Sequence, residues 1–167
     1  MIGLNTLRTG ALAAALLLVP AASALAQNTV RPEVGKPLQA ADSLFKAKKY
    51  REALAKVAAA DAASGKTPYE TYVITRTRGS IAAAAGDHAA AARDFEAVIA
   101  TNRNTGAEQL KLIQAVAGLH YHARDYAKSA SWAARYQKEG GTDPAMQTLV
   151  VQSHFLLNDC AAVAKAV

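Results

Sequence analysis

One short turn comes back four times along this chain, and that recurrence limits the fold more than any other feature. The segments Lys48-Lys49-Tyr50-Arg51-Glu52-Ala53, Gly86-Asp87-His88-Ala89-Ala90-Ala91, Arg124-Asp125-Tyr126-Ala127-Lys128-Ser129 and Asn158-Asp159-Cys160-Ala161-Ala162-Val163 can be laid over one another. Their last residues are 53, 91, 129 and 163, so the spacings are 38, 38 and 34. A helix is predicted on each side of every turn. The first begins at Pro37, with Leu38, Ala41, Leu44 and Phe45 at helical spacing. The others are predicted at 51–62, 69–85, 89–101, 107–122, 126–138, 145–157 and from 159 onward, with loops at 64–68, 102–106 and 140–144. Composition agrees. Of 167 residues 41 are Ala, the best helix former, and only ten are aromatic. Such helices pack closely through small side chains. A lone helix pair cannot bury its apolar face, so recurring pairs must stack.

A helix-turn-helix unit recurring near 34 residues resembles the tetratricopeptide repeat, here from about Pro37 to the end of the chain. That family places a small residue twelve positions before the turn end, and Ala41, Gly79 and Ala117 stand there, with Val151 departing. At the turn end itself stand Ala53, Ala91, Ser129 and Val163, and seven positions later Ala60, Val98 and Tyr136. The first two units match well, the third moderately and the fourth weakly. The resemblance implies an all-α fold, a right-handed superhelical array of antiparallel helix pairs (a TPR-like α-solenoid). Its units would cover about 37–66, 68–104, 107–141 and 143–167, the last incomplete.

The N-terminus reads differently. Arg8 is the only charge before Arg31, an apolar run covers 11–19, and Ala24-Leu25-Ala26 is a small-x-small cleavage site. Residues 1–26 are therefore expected to be a secretory signal peptide, and 27–36, with Pro32 and Gly35, a flexible leader. Cleavage leaves 141 residues and takes the net charge from +6 to +5 by removing Arg8. No second apolar segment long enough to span a membrane follows, so the expected location is periplasmic or secreted. Cys160 has no intramolecular disulfide partner and is expected to be a small buried residue. The apolar segment 161–167 lacks the polar face of a capping helix. Either the chain is a fragment of a longer array, or that end packs on another subunit.

No chemistry of catalysis is legible. There is no nucleophile elbow, no phosphate-binding Gly-rich loop, no CxxC and no HExxH. His120 and His122 are two apart and lie on different helix faces, while His120 and His154 occupy the same packing position of adjacent units. No enzyme, cofactor or metal is expected. The positive charge carries no nucleic-acid motif and favours an acidic protein or peptide partner. The resemblance implies that the first helix of each pair lines a concave groove for such a partner. Carried onto this sequence, the groove positions include Phe45, Lys46, Arg76, Ser80 and Lys111. Gln114, Tyr121, His122, Gln152 and Phe155 continue it. Phe45, Tyr121 and Phe155 would anchor an amphipathic segment, and Arg76 with Lys111 would orient its carboxylate. The expected function is an exported, non-catalytic interaction module or scaffold. The alternatives are a structural subunit that self-associates through the uncapped end, or the binding segment of a larger cell-envelope assembly protein.

Overall fold

The computed structural model describes residues 28–166. Among them lie eight helices and no strand. In chain order they are α1 (Pro32–Lys46), α2 (Tyr50–Asp61), α3 (Pro68–Ala85), α4 (His88–Ala100), α5 (Gly106–His122), α6 (Tyr126–Lys138), α7 (Pro144–Leu156) and α8 (Cys160–Ala166). Each packs mainly on its neighbours in sequence, which makes four helix pairs stacked as an α-solenoid.

The recurring turn has one backbone solution. Lys48, Gly86, Arg124 and Asn158 hold the same position, and all four are left-handed, with φ of 59°, 84°, 61° and 58°. The next amide, at 49, 87, 125 or 159, donates back to the carbonyl of Leu44, Ala82, His120 or His154 at 2.9–3.0 Å. This Schellman closure satisfies carbonyls that the ending helix leaves open. The following helix is capped by the same residue. Asp87, Asp125 and Asp159 accept from the amides of Ala90, Lys128 and Ala162 at 3.0, 3.2 and 3.0 Å. Lys49 makes no such cap.

Packing follows the predicted register. Ala41, Ala53 and Ala60, then Gly79, Ala91 and Val98, then Ala117, Ser129 and Tyr136 are all buried. Gly79 marks a close helix crossing: a Cβ there would lie 3.0 Å from both the Asp94 Cβ and the Phe95 ring. Two cores result. Val34, Ala41, Ala53 and Val57 pack with Ile74 and Ile81 of α3. Ala82, at the end of the same helix, joins Phe95, Ile99, Ile113, Val116 and Val150. Helix α3 thus ties the first pair to the rest.

Two expectations need correction. The leader predicted at 27–36 is not flexible over its length, because α1 begins at Pro32 and Val34 is fully buried. Pro37 therefore sits inside the helix rather than in its first turn. The cause is a long-range anchor. Arg31 donates its guanidinium Nε and Nη2 to Glu70 Oε1 and Oε2 at 2.9 and 3.0 Å, and its own amide to Oε1 at 2.9 Å. The Thr67 amide adds a fourth bond at 2.8 Å. These donors, the Arg31 guanidinium first, hold the Glu70 carboxyl down at about 2, well below 4.5. Cys160 is exposed rather than buried, since it opens α8, a helix with no buried residue. Exposed large apolar side chains cluster at that end, with Phe155 at 72% and Leu156 and Leu157 at 43%. The predicted signal peptide lies outside the described residues. Among those residues, no helix is long and apolar enough to cross a membrane.

Candidate functional site

The first helices of the four pairs, α1, α3, α5 and α7, frame three clefts. The first, of about 280 Å³, lies between α1 and α3 and is lined by Leu38, Asp42, Phe45, Arg76, Thr77, Ser80 and Ile81. The second, of about 480 Å³, lies between α3 and α5, with Arg76, Ala107, Glu108, Lys111 and Leu112. A third of about 330 Å³ joins Tyr121 of α5 to Val151, Gln152, Phe155 and Leu156 of α7 and Val163 of α8. Arg76 belongs to the first two clefts and connects them.

Seven of the ten predicted groove residues line these clefts: Phe45, Arg76, Ser80, Lys111, Tyr121, Gln152 and Phe155. Phe45 is half-buried, against the Tyr50 ring at a centroid distance of 5.9 Å. Phe155 projects into solvent. Ser80 donates its hydroxyl to the Arg76 carbonyl at 3.0 Å. Lys111 is exposed and has no ion pair among the described residues.

The other three are placed elsewhere. The Lys46 ammonium is 2.6 Å from Asp42 one turn back. Gln114 donates to Asp143 Oδ2 at 2.7 Å, joining α5 to the residue that caps α7. His122 lies against His88, ring centroids 5.0 Å apart, and edge-on to Tyr121 at 6.2 Å.

Arg76, expected to orient a partner's carboxylate, already has partners within the chain. Its Nη1 donates to the Tyr72 hydroxyl at 2.7 Å, and that hydroxyl donates to Asn104 Oδ1 at 2.8 Å. Its Nη2 meets Glu108 Oε1 at 2.7 Å. Partial burial opposes the Arg76 charge, but the bonds to Glu108 and Tyr72 outweigh it and raise the guanidinium pKa. Glu108 was missed from sequence. Its signal was available, because it lies three residues before Lys111 on the same face of α5.

The histidine cluster has a packing explanation. Buried His120 places Nε2 2.7 Å from Glu96 Oε1, which also accepts from the Trp132 indole at 3.0 Å. That carboxylate ties α4, α5 and α6 together. Among the described residues, no group of three or more His, Cys, Asp or Glu is placed to hold a metal ion.

No family model matches the chain, and no curated protein matches it. A solved structure does. The structure of Pseudomonas aeruginosa PilF superposes with a TM-score of 0.51 at 19% identity, covering 80% of this chain. The fold is tetratricopeptide-like. The match takes in 57% of the PilF chain, so this chain spans little more than half of that structure's length. At this identity the likeness is one of fold alone.

Proposed function

We propose that this protein is an exported, non-catalytic interaction module that takes a peptide or partner-protein segment, possessing acidic and apolar groups, in the groove along α1, α3, α5 and α7. The observation that carries this reading is the row of three clefts, lined by seven side chains that the repeat register had assigned to a groove. Phe45 and Phe155 offer apolar contact at the two ends. Lys111 offers an uncompensated charge between them. Apolar anchors with a charged centre suit an amphipathic segment better than a small polar ligand. Export rests on the leader at 1–26. Mass spectrometry of the processed chain is expected to find Gln27 at its N-terminus.

Pull-down from a periplasmic extract tests the groove. The wild type is expected to retain a partner that an Arg76→Ala/Tyr121→Ala double variant releases, and identical retention by both would reject the groove. A second reading, self-assembly, draws on the exposed Phe155, Leu156 and Leu157. Light scattering separates the two: a monomer whose mass is independent of concentration rejects self-assembly.

A further inference from the structure

We infer that Glu108 is an internal occupant of the groove's carboxylate subsite, holding the place on Arg76 that an acidic side chain of the partner segment takes on binding. This rests on the groove reading above and specifies how its central cleft chooses a ligand.

The two partners of the Arg76 guanidinium differ in kind. Tyr72 is fixed, because its hydroxyl is also bonded to Asn104, which is buried at 5% exposure. Tyr72 and Asn104 aim the guanidinium and leave Nη2 directed at the second cleft. Glu108 is different. Its side chain is 52% exposed, and among the described residues its one ion pair is the 2.7 Å contact to Arg76. Rotation of the Glu108 side chain would carry its carboxylate into water, and an exposed pair of this sort is worth little. Arg76 would keep its position.

The room for an exchange is present. The cleft holding both side chains is about 480 Å³, larger than either of the other two in the row. Lys111 lines the same cleft and is exposed. An incoming carboxylate would meet two cations, Arg76 and Lys111, and would displace one exposed carboxylate. An incoming amide would gain neither charge and could not displace Glu108. Glu108 thereby raises the threshold for binding, and a neutral apolar segment would be refused by the central cleft while an acidic one is admitted.

The test uses the full mature chain and an array of 15-residue peptides, acetylated and amidated so that no terminal carboxylate is present. Each carries one central Glu with Leu or Phe three and four residues to either side, beside a counterpart with Gln in place of Glu. Wild type is expected to retain Glu peptides over Gln peptides. Glu108→Gln is expected to raise Glu-peptide retention about two- to five-fold, the equivalent of one exposed ion pair, and Gln-peptide retention by less, so that the Glu-over-Gln ratio grows. Adding Arg76→Gln to Glu108→Gln is expected to abolish that gain. Free glutarate at millimolar concentration is expected not to compete, since the apolar contacts belong to the peptide. A Glu108→Gln protein with an unchanged Glu-over-Gln ratio, or one retaining no peptide, overturns the inference. The two readings separate through Tyr121→Ala. If that variant loses peptides while Glu108→Gln changes nothing, the groove stands and Glu108 is no competitor. If Tyr121→Ala and wild type retain the same peptides, the groove itself is wrong.

Discussion

The turn joining α3 to α4 and the turn joining α7 to α8 close with the same bonds and support different amounts of structure. Gly86 and Asn158 are both left-handed, Asp87 and Asp159 both donate a backbone amide at 3.0 Å, and both cap the helix that follows. Yet α4 buries Ala91, Ala92, Asp94, Phe95, Val98 and Ile99, while α8 buries nothing. The shape of a repeat unit is therefore set locally, by four to six residues around a turn. Its stability is set by the neighbours on either side, as expected where each unit covers the next. Among the described residues, the second pair packs on helices before and after it, α2 and α5, and the fourth packs on α6 before it.

The largest expected effect tests the first half of that contrast at Glu70, the residue that fastens the chain start onto α3. Glu70→Gln removes the charge that four donors converge on, and is expected to lower the melting temperature at pH 7 more than any other substitution named here. The pH dependence has a definite sign. A carboxyl held at about 2 in the fold and near 4.5 when unfolded stabilises above about pH 4.5 and loses that contribution as pH falls towards 2. Thermal melts of wild type are expected to fall through that window, and those of Glu70→Gln to fall less. Parallel profiles would mean that Glu70 adds no pH-dependent stability.

A smaller effect compares the two pairs directly. Ala91 and Val163 hold the same repeat position, one fully buried and one partly open. Ala91→Trp overpacks the α3–α4 crossing and is expected to cost about 1–3 kcal/mol. Val163→Trp has open space beside it in the third cleft and is expected to stay within about 0.5 kcal/mol. Denaturant melts decide it. Equal costs would mean that the fourth pair is packed as tightly as the second.

What was legible in the sequence divides along the same line. The turns and the crossing residues follow from local spacing, and all nine crossing-position residues of the first three units are buried. Contacts between units were not legible. Pro32 and Gly35 read as breakers because nothing local reveals that Arg31 reaches Glu70, 39 residues away. Cys160 read as buried because its segment is apolar, but α8 buries no residue among those described. At the groove, the family resemblance assigned Arg76 a groove position and was silent about Glu108, 32 positions on, which is ion-paired to it. Periodicity gives the direction of a side chain, not what the next unit sets against it.

The smallest effect is the most discriminating, because it places the same residue at the same turn position in both pairs. Gly86→Ala introduces a Cβ at positive φ and Asn158→Ala removes a side chain that tolerates it, each at a cost of about 1 kcal/mol for the turn concerned. In α3/α4 that cost falls on an element whose opening would expose the larger core, so it should appear in full in global stability. In α7/α8 the cost can be relieved by releasing α8 alone, which buries no residue, so global stability should move by less than about 0.5 kcal/mol. Hydrogen exchange separates the outcomes even in the unmutated protein. The Asp87 and Asp159 amides make bonds of equal length to equivalent carbonyls. If bond geometry governed protection, they would exchange alike. Because protection follows the free energy of the opening that exposes the amide, Asp159 is expected to exchange by local release of α8, and Asp87 close to the global unfolding limit. Equal protection at both sites would make the array one cooperative unit from α1 to α8, and the difference in burial would then have no energetic counterpart.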